Sequence, residues 1–195
     1  MIRPRAFWGI LVAIIVGAVY GCTAHYSPKP RGYFRIELPE KQYELYTSSC
    51  PFVFKLPTYA VMIPDQSADA QPCWTDIWFE QFNARVHLSY IPIESREHFD
   101  ELTEDARTFA FKHTVKATAI DQQRISRPDD RVFGLVYDIG GNTASNLQFF
   151  VTDSLHHYLR GALYFNERPH LDSIRPVLDF IHVDIDTMIR SVRWK

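Results

Sequence analysis

The chain has few cysteines and, after its first 21 residues, no long apolar run. Only three of the 195 residues are cysteine, at positions 22, 50 and 73. Neither Cys50 nor Cys73 belongs to a C-x-x-C pair, which argues against a structural zinc site. The formal net charge is −2, so no basic excess indicates a nucleic-acid partner. These absences exclude the common zinc-binding and nucleic-acid-binding classes.

Familiar catalytic motifs are missing as well. The sequence has no G-x-S-x-G nucleophile elbow, no P-loop and no G-x-G-x-x-G dinucleotide motif. Gly140-Gly141-Asn142 predicts a turn rather than a phosphate cradle, because strand-like residues follow it where a helix would be required. We therefore predict no catalytic residue, no cofactor and no metal ion.

One local cluster leaves an enzymatic alternative open. The segment Asp153-Ser154-Leu155-His156-His157 contains residue types found in hydrolases. Consecutive residues of an extended segment point to opposite faces, so its two histidines would not easily share one ion. Asp153 and Ser154 also suit a hairpin turn, where they bond to the local backbone. The alternative function is a small lipid-anchored hydrolase or ligand-binding domain that uses Asp153, Ser154 and His156.

Residues 1–21 have the layout of a bacterial secretory signal. Two arginines precede an uncharged apolar run that ends at Gly21, and a cysteine follows directly. The run is shorter than the ~20 residues that span a bilayer comfortably. We predict that residues 1–21 are removed and that Cys22 carries the lipid anchor, with acyl chains such as palmitate. An uncleaved membrane anchor is the alternative, because Tyr20 is bulky for this type of cleavage site.

The two remaining cysteines predict a disulfide. Cys50 and Cys73 are the only cysteines left in an exported chain once Cys22 is acylated. Their bond would stabilise the fold by about 3.5 kcal/mol in the chain-entropy model. Two free, buried thiols are the alternative.

Residues 22–44 are predicted to form a tether next to the lipid. Prolines at positions 28 and 30 prevent a helix there. Cations and aromatic residues then follow one another, and side chains of both types can contact lipid headgroups or a protein partner. We predict that this part of the tether binds a partner through Lys29, Arg31, Tyr33, Phe34 and Arg35. A solvated linker is the alternative.

Residues 45–195 are predicted to form a single α+β domain. Strand-like segments are 52–56, 59–63, 74–79, 85–91, 119–126, 132–139, 147–152 and 158–165. Helical patterns cover residues 95–116 and 172–193, and the second helix is expected to break near Asp184. Hairpin-length links imply an antiparallel sheet of about six to eight strands, covered by two amphipathic helices. This order is similar to the Mog1/PsbP-like sandwich, an analogy that carries no function by itself.

Ten short segments, spread from the tether to the last helix, carry a resemblance to a known family. They are residues 26–36, Leu38-Pro39-Glu40-Lys41 with Tyr43, Cys50-Pro51-Phe52, Cys73-Trp74, His87-Leu88-Ser89-Tyr90, Lys112-His113, Gly141-Asn142, Thr152-Asp153-Ser154, residues 160–165 and residues 172–177. Together they resemble the gliding motility-associated lipoprotein GldD family of Bacteroidetes-type bacteria.

The resemblance implies a cell-envelope lipoprotein of the gliding machinery, which is tied to type IX protein secretion. It implies no known enzymatic activity. Its expected partners are the membrane, through the lipid anchor, and other envelope lipoproteins of gliding or secretion. We expect the protein to be tethered to the outer membrane and to face the periplasm.

Overall fold

The computed structural model describes residues 35–167 and 170–195. The chain divides into two units at residue 36, and every element described below belongs to the second unit, residues 37–195. The predicted signal peptide and Cys22 lie outside the described residues.

The second unit begins earlier than the predicted domain boundary. The sequence predicts that residues 37–44 are part of the tether, but they belong to this unit. A strand already starts at Tyr43. The short strand lacks the long alternating pattern that would mark it in the sequence. The boundary between tether and domain therefore moves from residue 44 to residue 36.

Ten strands lie in the described residues. They are β1 (Tyr43–Tyr46), β2 (Phe52–Pro57), β3 (Val61–Pro64), β4 (Thr75–Phe79), β5 (Ala84–Pro92), β6 (Ala117–Arg127), β7 (Val132–Gly141), β8 (Leu147–Thr152), β9 (His157–Phe165) and β10 (Arg193–Trp194). Seven form a large sheet in the order β3-β4-β5-β9-β8-β7-β6, and three form a small sheet in the order β1-β2-β10. All of the pairings are antiparallel, which confirms the predicted sheet type and α+β class.

Two helices accompany the sheets. Helix α1 (Arg96–Phe111) is capped by Ser95, whose side chain accepts a hydrogen bond from the His98 N–H, as its sequence predicts. It ends earlier than expected, because residues Lys112–Val115 tighten into a 3-10 turn. Helix α2 (Leu171–Ser191) is continuous, so the predicted break near Asp184 is wrong.

The two helices cover opposite faces of the large sheet. Tyr137 of β7 packs in one cluster with Ala110 of α1. The next residue, Asp138, points to the other face, and its carboxylate lies 2.8 Å from His182 Nε2 of α2. Helix α1 therefore lies on one side of the sheet and α2 on the other.

The small sheet lies on the same side as α2. Ile91 of β5 packs against the α1 cluster, so its neighbour Tyr90 points away from α1. The ring of Phe52 in β2 lies 5.8 Å from the Tyr90 ring, centroid to centroid. The most completely buried side chains include Phe52, Phe54, Leu88, Leu163 and Ile185, which places the main core between the large sheet and this layer.

Asp184 explains why α2 continues where a break was predicted. Its side chain is 1% exposed, and its carboxylate accepts hydrogen bonds from the hydroxyl groups of Tyr43 at 2.8 Å and Tyr59 at 2.6 Å. Lys41 Nζ also lies 2.7 Å from this carboxylate. The acidic residue is thus a partnered buried acceptor, and it binds the first residues of the domain to α2.

Candidate functional site

The α1 side of the large sheet is covered only in part. Helix α1 packs mainly against β7, β8 and β9, whereas the same side of β3, β4 and β5 carries exposed or half-buried side chains. We call this set the open face. It consists of Val61, Ile63, Asp76, Trp78, Arg85 and His87, with Tyr164 at the adjacent end of β9.

Strand register brings these side chains together. Residues paired across antiparallel strands point to the same face of a sheet and touch one another. The pairs of the open face are Val61 with Trp78, Ile63 with Asp76, Asp76 with His87, Trp78 with Arg85, and Arg85 with Tyr164. The alternating residues Ile77 and Val86 are buried on the α2 side. Period-two alternation therefore gives these strands one apolar face and one face of mixed chemistry.

Asp76 is the centre of charge pairing on the open face. Its carboxylate contacts His87 Nδ1 and lies 3.4 Å from an Arg85 nitrogen. Arg85 stacks over the Trp78 ring at 4.9 Å, and the His87 ring meets the Tyr164 ring edge-on with centroids 5.3 Å apart. The His87 side chain is 45% exposed, so its ring reaches solvent although Nδ1 is bound. These contacts hold the polar groups in fixed positions on a rigid sheet.

A cavity of about 320 Å3 adjoins the open face. We call it the Arg160 cavity. Its lining includes Asp65, Trp74, His87, Ser89, Arg160 and Tyr164. Strands β5 and β9 and the loop before β4 thus bring one cation, one carboxylate, two hydroxyl groups and two kinds of aromatic ring to the same space.

Arg160 has an unusual environment for a cation. Its guanidinium carbon lies 4.1 Å from the centroid of the Phe109 ring of α1, and one nitrogen donates to Gln148 Oε1 at 3.3 Å. Burial lowers the pKa of Arg160, and Tyr164 is the largest of the interactions that oppose the shift. The group stays charged, because an arginine does not lose its proton in proteins. Among residues 35–167 and 170–195, no carboxylate forms an ion pair with it.

Phe109 of α1 is a large apolar residue that the core does not bury. It is 38% exposed. Its ring lies under Arg160, so its apolar surface contacts a guanidinium group instead of the core. Such stacking is favourable for a partly desolvated cation.

Gly161 fixes the position of β9 beside the cavity. A Cβ at this position would lie 2.1 Å from the Phe149 ring. Phe149 is 1% exposed, so neither the ring nor the strand can move away easily. The close contact between Gly161 and Phe149 therefore sets the position of the neighbouring Arg160.

The predicted disulfide forms next to Trp74, which lines the cavity. Cys50 and Cys73 are bonded, with their Cα atoms 5.7 Å apart, a normal separation for such a bond. Cys73 has a φ of 66°. The next residue, Trp74, donates a hydrogen bond from its indole nitrogen to the Tyr90 carbonyl at 3.1 Å. The disulfide and this bond together position Trp74 in the cavity lining.

The predicted partner-binding residues lie mainly outside the described part of the chain. Lys29, Arg31, Tyr33 and Phe34 fall before residue 35. Arg35 is described, and it is exposed. Docking through this segment, like acylation of Cys22, stays a prediction.

Asp153 serves a structural role in the β8–β9 turn. One carboxylate oxygen accepts the backbone N–H groups of Leu155, His156 and His157 at 2.8 to 3.0 Å. Burial raises the pKa of Asp153, but these hydrogen bonds lower it by more, so the net shift is downward. Ser154 has a φ of 66°, the left-handed conformation of a tight turn. The cluster therefore has the geometry that the turn interpretation predicts.

Two histidines have acidic partners that the sequence did not reveal. His87 pairs with Asp76, and His182 pairs with Asp138. Within residues 35–167 and 170–195, no group of three or more His, Cys, Asp or Glu side chains is arranged to hold a metal ion. In the same part of the chain, no helix combines the length and hydrophobicity of a membrane span.

Comparison with known proteins identifies the family. The family model described as gliding motility lipoprotein GldD matches residues 23–194. The chain belongs to this family. Three of the segments that carry the resemblance, Cys73-Trp74, residues 87–90 and residues 160–165, contribute side chains to the Arg160 cavity. These three motifs thus lie next to one another in space although they are far apart in the sequence.

The structure is also similar to a solved protein. This is the cyanobacterial PsbP (CyanoP) from Synechocystis sp. PCC 6803, a solution structure. The two share 13% sequence identity and a TM-score of 0.48, over 87% of this chain and all of that chain. No curated protein sequence matches the chain significantly.

The sequence predicts which side chains of β5 share a face, but it does not predict which side chains of other strands lie beside them. The alternation in β5 places His87 and Ser89 on one face. It does not show that Asp76 lies opposite His87, or that Arg160 lies beside Ser89, because both facts depend on strand register. Tyr137 and Tyr158 are buried, whereas Tyr164, near the end of β9, is only half-buried.

Proposed function

We propose that this GldD-family lipoprotein is a non-enzymatic component of the gliding machinery that binds partner proteins through its open face. The open face is the observation that carries the proposal. A sheet normally buries its apolar side chains against a second layer, yet here Val61 is 55% exposed and Ile63 36% exposed. Trp78 and Tyr164 lie beside them, half-buried. A protein partner would cover this surface.

The chemistry of the open face resembles that of protein interfaces. Tryptophan, tyrosine and arginine are the residue types that most often supply binding energy at such interfaces. Here the Trp78 and Arg85 side chains stack on each other, and Asp76 fixes both Arg85 and His87. Side chains held in this way lose little conformational entropy on binding. The open face is therefore organised to bind before a partner arrives.

Membrane attachment is the second part of the proposal. Cys22 would carry the lipid, and the domain would face the periplasm from the outer membrane. The family description as a lipoprotein supports the anchor, and the Cys50–Cys73 disulfide suits an oxidising compartment outside the cytoplasm. The proposed partners are other envelope lipoproteins of gliding or type IX secretion. The tether, through Lys29, Arg31, Tyr33, Phe34 and Arg35, would supply a second contact.

The hydrogen bonds of Asp153 argue against the alternative function as a hydrolase. A catalytic aspartate of the triad type orients a histidine ring, but here one oxygen of Asp153 is occupied by three backbone N–H groups of its own turn. His156 Nδ1 lies 3.5 Å from the other oxygen, and its side chain is 70% exposed. The Arg160 cavity is lined by other residues.

A pair of matched variants tests the proposal. Val61 on the open face and Val183 on α2 are the same residue type and are 55% and 52% exposed. Val61→Arg should abolish colony spreading and reduce type IX secretion at normal protein abundance. Val183→Arg should leave both unchanged. Normal spreading and secretion in the Val61→Arg strain would refute a function of the open face in partner binding.

A further inference from the structure

We propose that the Arg160 cavity binds a single carboxylate group, supplied by an acidic side chain of the partner protein. This inference rests on the proposed function, because it names the chemistry by which the open face would recognise its partner. The carboxylate would receive hydrogen bonds from the Arg160 guanidinium and contact His87, Ser89 and Tyr164, which line the same cavity.

The charge on Arg160 is the first argument. A buried cation normally pairs with an anion, since removing it from water is costly. Within the described residues, Arg160 stacks on the face of Phe109 and donates one hydrogen bond to the neutral Gln148. Burial lowers the pKa of Arg160. The contacts of the charged guanidinium group therefore do not fully offset the cost of removing it from water. An incoming anion would offset the remainder.

The second argument is the geometry of the available donors. A guanidinium group has five N–H donors, and Gln148 takes one of them on one Arg160 nitrogen. The free edge can present two parallel N–H groups, the arrangement that binds a carboxylate through both oxygens. The hydroxyl groups of Ser89 and Tyr164 line the same cavity and can also donate.

The balance of charge favours a monoanion. Asp65 lines the cavity and Asp76 lies beside it, paired with His87 and Arg85. Arg160 therefore offers a single positive charge that has no ion-pair partner, although Asp105 interacts with it electrostatically. A phosphate group, which carries nearly two negative charges at neutral pH, would meet nearly twice the repulsion from Asp65 that a carboxylate meets. A carboxylate matches the charge of Arg160 one to one.

The surroundings of the cavity favour a carboxylate that belongs to a protein. The cavity volume of about 320 Å3 admits an acidic side chain with part of its backbone, at the small end of the usual range for ligand sites. The exposed Val61 and Ile63 on β3, the strand that leads to Asp65, would contact apolar residues that flank the acidic one. A free small acid would leave these side chains uncovered.

The test uses a matched pair of probes and an intrinsic reporter. Trp74 lines the cavity, so the indole N–H resonance of 15N-tryptophan-labelled full-length protein in dodecyl maltoside micelles reports binding. The probes are N-acetyl-glutamate amide and N-acetyl-glutamine amide, which differ only in having a carboxylate or a neutral amide. We expect saturable shifts with a Kd of about 1 to 10 mM for the glutamate probe and at least tenfold weaker binding for the glutamine probe.

Two arginine variants locate the site. Arg160→Gln should abolish binding of the glutamate probe, whereas Arg124→Gln, at an exposed arginine of β6, should leave it unchanged. Equal binding of the two probes to the wild-type protein, or full binding by a folded Arg160→Gln variant, would overturn the inference. Tighter binding of inorganic phosphate or of N-acetylglucosamine than of the glutamate probe would also overturn it. If Arg160→Gln does not fold, the two probes on the wild-type protein decide the question.

The inference and the proposed function can fail separately. If the glutamate probe does not bind while Val61→Arg still abolishes spreading, only the carboxylate chemistry is wrong. If the probe binds at Arg160 while Val61→Arg cells spread normally, the cavity accepts carboxylates but the open face is not the partner surface.

Discussion

The ammonium group of Lys41 lies 2.7 Å from the buried carboxylate of Asp184. The same ammonium group donates to the Phe180 carbonyl at 2.8 Å and lies 3.1 Å from the centroid of the Phe180 ring. Burial lowers the pKa of Lys41, and the hydrogen bond to Asp184 opposes this shift. The chain is therefore fixed to α2 close to the start of the domain.

Removal of Asp184 should destabilise the domain strongly. Asp184→Ala leaves the Lys41 ammonium group and the hydroxyl groups of Tyr43 and Tyr59 without their shared acceptor. Loss of one member of a buried, hydrogen-bonded charge pair costs about 3 to 5 kcal/mol. Urea unfolding should show a loss of this size for Asp184→Ala. Asp186→Ala is the matched control, because the Asp186 side chain is 46% exposed in the same helix. It should cost less than about 0.5 kcal/mol, and equal costs for the two variants would contradict the assignment.

Loss of the disulfide should reduce stability by a comparable amount. Cys50 and Cys73 are 23 positions apart, and closing a loop of this length stabilises the fold by about 3.5 kcal/mol in the chain-entropy model. The double variant Cys50→Ser/Cys73→Ser should lose about that much free energy of unfolding, and reduction of the wild-type protein should give the same result. Thiol titration of denatured, unreduced protein provides the direct check. Two reactive thiols per domain would show that the bond does not form.

The pair between His182 and Asp138 should make stability depend on pH. The hydrogen bond to Asp138 raises the pKa of His182 above its ordinary value of 6.5, and burial offsets part of the shift. The folded protein therefore holds this proton more tightly than the unfolded chain does. The pair stabilises the fold fully below pH 6.5, and this contribution is lost as the pH rises through the folded pKa.

His182→Gln provides the measurement for this pair. The variant should lower the urea midpoint more at pH 5.5 than at pH 8, relative to the wild-type protein at the same pH. An equal decrease at the two pH values would mean that the charge on His182 contributes nothing.

The sequence predicts the framework of the domain more readily than its site. The strand from Phe52 and the α1 cap at Ser95 follow from local patterns of alternation and capping. Strand β10 contains only Arg193 and Trp194, and no pattern can emerge from two residues. The pairing of Asp76 with His87 depends on which strands become neighbours, a tertiary property. The same holds for the continuity of α2 at Asp184, which depends on donors more than 100 positions earlier.

The lipid anchor gives a prediction about fractionation. Wild-type protein should partition into the detergent phase in a mature form that lacks residues 1–21. Cys22→Ala should remain unprocessed at this site, because the predicted cleavage site requires the cysteine that follows it. Normal processing of Cys22→Ala, with retention in the detergent phase, would refute the lipoprotein assignment.

A variant of the tether distinguishes a partner-binding segment from a simple linker. Replacement of Arg31, Tyr33, Phe34 and Arg35 by serine keeps the length and solubility of the tether but removes its cations and rings. We expect normal folding and acylation, together with loss of gliding or secretion and of a co-purifying partner. Full function at normal abundance would make the segment a linker.

Site-specific photo-crosslinking in living cells tests the central claim most directly. A benzophenone amino acid placed at Val61 samples the open face, and the same amino acid at Val183 samples the α2 side with nearly equal exposure. The open face, as the partner surface, should give a discrete crosslink to an envelope protein of the gliding or secretion machinery from position 61 and none from position 183. A crosslink to that protein from position 183 alone would contradict the claim.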